Sequence, residues 1–251
     1  MKQLSKEQAV QEKQYCFPYH YLDLYSGVYR EIILRHYLSL LRTNVKMLKP
    51  FIGQKILDAG CGDGRFCYEL GNENVELTGI DYSDRAIAFA RAFNPSGTFL
   101  VGDVTTLNYK NHYDIATLIM VLEHIPPDEI SNCVISLHKL IKPGGKLLVS
   151  VPSVNLPLQE KHFQHFSPET LLIHFREGFD LIEKRGHTQS GKEWKRYDSM
   201  RKRAQILWPL RRKIPLIKKY TDHVVDYYKS IEDCDINQAI SITLLLEKVR
   251  K

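Results

Sequence analysis

The chain reads as an α/β protein, a doubly wound and mostly parallel sheet with helices on both faces. Three observations predict it. From residue 55 onward short apolar runs alternate with helical patterns, the sign of strands joined by crossover helices. The first of these runs feeds straight into a glycine-rich turn, KILDAGCGDGRF over 55–66. A length of 251 residues at 43% hydrophobic composition suffices for one well-buried core, so a single domain with additions is expected over 1–251.

The elements follow in order. Residues 1–47 form an aromatic, helical cap: the stretch QYCFPYHYLDLYSGVY precedes a helix expected near 31–47. Strands are expected at 55–59, 75–81, 98–102, 113–120, 146–151, 179–185 and 240–246, and helices at 65–70, 84–93, 128–140 and 168–175. In the third helix Ile130, Val134, Leu137 and Ile141 recur at helical spacing and give one apolar face. Ser167 can cap the fourth, with Pro168 at its first position and Glu169 beside the positive end of the helix dipole. The core then comprises 48–187 and 239–251, with a basic helical insertion at 188–238 before the last strand.

Composition narrows the setting. Nothing near the amino terminus resembles a signal peptide, since MKQLSKEQAVQEKQY is polar throughout, and the apolar run 115–122 is too short to span a bilayer. The five cysteines (16, 61, 67, 133 and 234) lack paired C-x-x-C spacing, which argues for reduced thiols and against a disulfide framework or structural zinc. A cytoplasmic placement is expected, with contact at a membrane surface as an option. The net charge of +6 is concentrated: residues 192–220 hold eleven Lys or Arg against Glu193 and Asp198.

A strand, a glycine turn and a helix bring main-chain N–H groups and a helix N-terminus close to a ligand. A nucleoside-triphosphate loop needs G-x-x-x-x-G-K-[ST], which does not occur. A dinucleotide fingerprint needs its third glycine at position 65, where this chain has Arg65. The spacing is instead Gly60, Gly62, Gly64, preceded by Asp58.

LDAGCGDG resembles the first motif of class I S-adenosylmethionine-dependent methyltransferases, in the branch of small-molecule and quinone O-methyltransferases. Further motifs follow in register: LTGIDYSDRAIAFAR at 77–91, FLVGDVTTL at 99–107, LIMVLEHIPPDE at 118–129 and LIKPGGKLLVSVPSVN at 140–155. The resemblance implies a Rossmann-like seven-stranded sheet with an antiparallel last strand, and S-adenosyl-L-methionine as cofactor. It places Asp58, Gly60, Cys61, Gly62 and Gly64 at the methionine end, Asp81 and Tyr82 at the ribose, and Asp103 and Val104 at the adenine. Ile119 and Met120 are expected beside them. A cofactor that brings its own activated methyl group leaves the protein to position the acceptor and remove a proton.

Candidates for the base are His124, Glu123, His162, His165 and His20; location beyond the strands' carboxyl ends favours His124 and His165 as catalytic residues. Some quinone O-methyltransferases hold a divalent metal with E-x-x-E-H; here the first position is Met120, so no metal is expected. The aromatics Tyr15, Phe17, Tyr19, Tyr21, Tyr25 and Tyr29 can form a lid, or simply pack the cap onto the core.

In the segment 195–220, Ile206, Leu207, Trp208, Leu210, Ile214, Leu216 and Ile217 interleave with cations. That mixture suits an anionic membrane surface, a phosphate-bearing acceptor, or a solvated cap whose apolar side packs on the domain, and Pro209 and Pro215 are expected to limit it to short helical pieces. With no recognised RNA-binding module beside the patch, nucleic acid ranks below these partners. The expected reaction is methyl transfer to an oxygen, less readily a nitrogen, of a small-molecule, glycan or lipid-linked acceptor. The alternatives are an RNA or protein methyltransferase that uses the basic insertion, and a non-catalytic cofactor-binding scaffold.

Overall fold

The computed structural model describes residues 6–25, 31–71 and 74–250. Strands β1 (Lys55–Ala59), β2 (Glu76–Asp81), β3 (Thr98–Val101), β4 (Tyr113–Ile119) and β5 (Ile141–Pro152) pair in parallel. With β6 (Phe179–Gln189), β7 (Asp233–Cys234) and β8 (Ala239–Lys248) they make one sheet of order β3-β2-β1-β4-β5-β8-β6-β7. β8 is antiparallel to both β5 and β6, so β6 keeps the direction of the first five strands. The strand count is eight among the described residues, correcting the seven expected. The extra strand, β7, is two residues pairing with Gly186 and His187, too short to leave an alternating pattern.

The helices are α1 (Lys6–Gln14), α2 (Leu22–Tyr25), α3 (Glu31–Leu48), α4 (Arg65–Leu70), α5 (Asp84–Phe93), α6 (Ile130–Leu140), α7 (Pro168–Ile173), α8 (Gly191–Leu207) and α9 (Pro215–Ile231). Successive strand residues point to opposite faces, so each strand feeds two cores. Leu57, Ala116, Leu147 and Leu246 meet Leu137 and Leu140 of α6 on one face. Ile56, Ile115, Leu148 and Leu245 meet Leu41 and Leu48 of α3 and Leu70 of α4 on the other. The Ser83 side chain caps α5 by accepting from Ala86 N at 3.1 Å, and Ser167 caps α7 by accepting from Thr170 N at 3.2 Å.

Where boundaries differ from the sequence expectation, pairing decides. β5 begins at Ile141, which pairs with Tyr113, and the Pro-Gly-Gly turn is absorbed as an irregularity between Tyr113 and Ile115. A Cβ on Gly145 would stand 2.9 Å from the Asp114 carbonyl oxygen, so only glycine fits there. β6 continues to Gln189 because Gly186, His187 and Gln189 pair with Ile242, Ser241 and Ala239. In the basic insertion, α8 and α9 are full helices of 17 residues each, correcting the expected short pieces. Pro209 falls in the 3-10 turn Trp208–Leu210 between them, and Pro215 opens α9, where its missing N–H breaks no helical bond.

The aromatic cap divides its labour. Tyr21 is fully buried and stacks on Phe93 of α5 at 3.8 Å, while Phe17 is exposed. Tyr29 and the side chain of Tyr25 lie outside the described residues. No helix among the described residues is long and apolar enough to cross a membrane. All five cysteines are unpaired.

Candidate active site

The loop after β1 is bent by Gly60, Gly62 and Gly64, with φ of 75°, 54° and 80°, a region that side chains rarely adopt. Gly60 N and Cys61 N both donate to Ile80 O, at 2.7 and 3.1 Å, which fastens the loop to β2. A Cβ on Gly62 would stand 2.7 Å from the Tyr15 hydroxyl oxygen and one on Gly60 2.5 Å from Val121 Cγ2. Gly64 has a different reason to be glycine: a Cβ there would meet the backbone of Ala90 at 3.0 Å, so it lets α4 close on α5.

Asp63, between the glycines, and Arg65, just after them, hold the cap. Asp63 Oδ1 bonds His20 Nδ1 at 2.9 Å. Arg65, only 1% exposed, donates to Asp23 Oδ1 and Glu69 Oε1 at 2.6 Å and to the His20 carbonyl at 3.0 Å, with Tyr21 and Tyr68 against its guanidinium. The residue that sets this loop apart from a dinucleotide fingerprint therefore ties the amino-terminal cap to it. This link is invisible in sequence, because its partners lie more than forty positions away.

A cavity of about 320 Å³ opens from the loop. Asp58, Gly60, Cys61 and Gly62 form one wall, Ile119 and Met120 the middle, and Glu123, His124, Lys161 and His162 the far wall. Tyr15, Tyr19 and Tyr37 from the cap and Trp194 from α8 close its sides. Asp58 is buried and accepts from Thr117 Oγ1 at 2.7 Å; burial pushes its carboxyl up to about 6. Met120 sits at φ 56° with its N–H donating to Ser150 O at 2.8 Å, which turns the chain from β4 into the far wall.

Of the other expected cofactor contacts, Asp81, Tyr82, Asp103, Val104 and Gly64 do not line this cavity. Asp81 is nevertheless joined to the loop: Oδ2 accepts from Gly62 N and Oδ1 from Ser83 N, both at 2.9 Å, and burial pushes its carboxyl up to about 6. Asp103 is exposed and accepts from Thr105 N at 2.9 Å, and Val104 opens the 3-10 turn that follows.

The far wall is assembled from two loops. Phe163 N donates to Glu123 O at 2.8 Å, and His124 Nδ1 donates to Lys161 O at 2.9 Å, which locks the loop after β5 to the end of β4. His165 Nδ1 donates to Leu156 O at 3.1 Å, leaving its Nε2 to accept from His162 Nδ1 at 2.8 Å. Both His124 and His162 are thereby fixed in the tautomer whose Nε2 is a free lone pair. Burial holds these imidazoles neutral, lowering His124 to about 4 and His162 to about 3. Glu123 is 1% exposed, burial pushes its carboxyl up to about 8, and its Oε2 has no partner among the described residues.

His124 thus faces the cavity as expected from its position, whereas His165 stands behind His162 and orients it. His20 is occupied with Asp63. The K-H-F-Q-H spacing at 161–165 was the available signal for a histidine pair, and the carbonyl contacts decide which member faces inward. The ligating atoms of Glu123, His124 and His162 lie within 4.8 Å of one another and could hold a divalent ion. Met120 leaves the E-x-x-E-H set one ligand short, and His162 supplies a third donor from another loop. Two nitrogens and one carboxylate would suit a transition metal better than magnesium or calcium.

A Rossmann-like sheet with a glycine loop and an acid at the end of β2 defines a nucleoside-cofactor site at the carboxyl ends of the strands. The family model described as "Methyltransferase domain" matches residues 29–208, and the chain belongs to that family. Among curated proteins it is similar to the ubiquinone biosynthesis O-methyltransferase of Proteus mirabilis (strain HI4320), 31% identical over 128 residues, which is 48% of this chain and 51% of that protein. The chain thus spans about half the length of the curated relatives it matches.

Among solved structures, a SAM-dependent methyltransferase from Archaeoglobus fulgidus superposes with a TM-score of 0.60 at 14% identity, covering 89% of this chain and 100% of that one. The cyclopropane synthase MmaA2 from Mycobacterium tuberculosis superposes at 0.58 with 16% identity, covering 84% of each chain. At such identities these likenesses concern the fold.

S-adenosyl-L-methionine is the cofactor of this family, and the residues present fit it. Gly60 and Gly62 leave bare main chain where a side chain would fill the space. Each oxygen of Asp81 accepts one backbone N–H and retains a second lone pair, enough for two ribose hydroxyls.

Proposed function

We propose that this protein transfers the methyl group of S-adenosyl-L-methionine to an oxygen of a small-molecule acceptor held between Met120 and the Glu123–His124–His162 wall. The observation that carries this reading is the single cavity running from the glycine loop to that wall. The cofactor, when bound, supplies a methyl group already activated on a sulfonium; the chain's own residues orient the acceptor and accept its proton. His162 Nε2 accepts the hydrogen bond of the acceptor hydroxyl and takes its proton only as the methylated oxygen becomes an oxonium, since burial makes this imidazole a weak base; its ring is held by the bond from Nδ1 to His165 and by the anchorage of His165 on Leu156 O. His124 Nε2 is a second lone pair beside it, and Glu123 Oε2, buried without a partner among the described residues, is left for an acceptor polar group.

Tyr15, Tyr19, Tyr37 and Trp194 give the cavity apolar sides, which suits an acceptor with a flat ring or apolar body bearing the hydroxyl. The likeness to ubiquinone biosynthesis O-methyltransferases supports oxygen as the methylated atom. Calorimetry with the cofactor and its demethylated product, followed by label transfer from the methyl-labelled cofactor to a panel of phenols and alcohols, tests the proposal. Binding with transfer to a hydroxyl is expected. No cofactor binding would overturn it, and binding with transfer only to RNA or protein would reassign the acceptor.

A further inference from the structure

The hairpin of α8 and α9 has an inner and an outer apolar set. Tyr197, Ala204, Trp208, Val224, Tyr228 and Ile231 pack together with Ile32 of α3, so the solvated-cap reading holds for that face. Ile206 lies two residues, about 200° of helix, from inward-facing Ala204, and it is 79% exposed. Leu210, Ile214 and Leu216 follow at the turn, exposed at 44%, 41% and 76%. None of these four aliphatics belongs to a hydrophobic core cluster of the described residues.

The charges around them divide in the same way. Asp198 pairs with Arg201 and Lys202, and Asp222 with Arg211 and Lys218. These two acids are thus committed to these four cations, while Glu193 accepts from the Tyr227 hydroxyl and Asp226 pairs with Lys229. Among the described residues no ion pair engages Arg203, Arg212, Lys213 or Lys219, and all four are exposed next to the aliphatic residues. The tip therefore presents water-exposed apolar carbon and uncompensated positive charge on one surface.

We propose that the tip of this hairpin, residues 203–219, docks the protein on an anionic lipid surface. Aliphatic side chains at the headgroup boundary with cations against lipid phosphates satisfy both halves of the surface at once. A nucleic acid would satisfy only the cations: the tip's one indole, Trp208, is turned into the hairpin core under Arg211, so it offers no stacking platform. The contact is peripheral, made by side chains at a helical turn. It is independent of which acceptor the cavity takes.

The test is flotation of the full chain with vesicles of phosphatidylcholine alone and of phosphatidylcholine with phosphatidylglycerol, at low and high salt. Binding is expected only to the anionic vesicles and to weaken with salt. Replacing the four free cations (R203Q, R212Q, K213Q and K219Q) should weaken it about six-hundredfold, each cation being worth roughly fivefold. The pair Ile206→Ser and Leu216→Ser should weaken it while leaving the charge unchanged. Cofactor binding by each variant, expected to stay normal, shows that the fold is intact. Absence of binding to anionic vesicles at low salt overturns the proposal. So does RNA retention that survives Ile206→Ser and Leu216→Ser, or a dimer in solution that the same pair dissolves.

Discussion

The two walls of the cavity are built in opposite ways. The cofactor wall is main chain: Gly60, Cys61 and Gly62 lie within three residues, and their shape follows from backbone dihedrals and from two bonds to Ile80 O. The acceptor wall is side chain: Glu123 and His124 come from the 3-10 turn after β4, His162 from the loop after β5 and Trp194 from α8. A contiguous wall can be recognised as a motif, whereas a composite wall exists only once distant loops have been joined. The first therefore specifies the donor, and the second is free to choose an acceptor.

The sharpest way to break this contrast is to remove one side chain from the composite wall. His162→Ala should lower kcat about a thousandfold, within the range for a positioned base, with cofactor affinity unchanged. A loss of cofactor affinity instead would mean that the walls are one unit. His165→Asn, which spares the cavity surface, should show a smaller loss of the same kind.

Next comes the anchor beneath the main-chain wall. Arg65→Met leaves Asp23 without its cation and Glu69 with Arg42 alone, and breaking a buried ion pair costs about 3 kcal/mol or more. Denaturant unfolding should show that loss, and proteolysis should clip the amino-terminal cap first. An unchanged midpoint would contradict the anchoring role. Gly62→Val should weaken binding of the demethylated cofactor by about a hundredfold, since its φ of 54° strains a branched residue and its side chain meets Tyr15. Near-normal affinity would mean that the loop does not approach the ligand.

The smallest effect distinguishes the two sides of the sheet by pH. His187, buried on β6 with Nε2 against Thr243 Oγ1 at 3.2 Å, is lowered to about 3. Below its unfolded value near 6.5 the unfolded chain binds the extra proton, so stability falls on acidification, by about 2 kcal/mol at pH 5. Asp58 and Asp81, raised to about 6, have the opposite sign: the folded state binds the extra proton, and their contribution is lost as pH rises toward 6. Segment-resolved hydrogen exchange from pH 7 to 5 should therefore loosen β6 and β8 while the ends of β1 and β2 tighten. A His187→Gln chain that keeps the full acid sensitivity would remove His187 as its source.

Legibility varied along the chain for identifiable reasons. The elements from β1 to α6 follow from periodicity and turn residues because they are local; β1 and α5 coincide with their expected ranges. The polar end of β6 and the two residues of β7 owe their strand form to partners, and no local pattern encodes a partner. The histidines were visible as K-H-F-Q-H, but their order across the wall depends on the carbonyls of Leu156 and Lys161. Pro209 and Pro215 were visible as breakers, yet both fall where a helix ends or begins, so two long helices survive.

The sequence by itself determined the class of fold and the glycine loop, because a bare backbone turn and the strand-to-helix alternation are properties of neighbouring residues. Only the tertiary structure decided that Arg65 holds the cap, that His162 rather than His165 faces the cavity, and that Ile206, Leu210, Ile214 and Leu216 stay in water. The physical reason is the same in each case. Burial and hydrogen-bond partnership are set by what lies opposite a side chain, and that is fixed when the chain closes on itself.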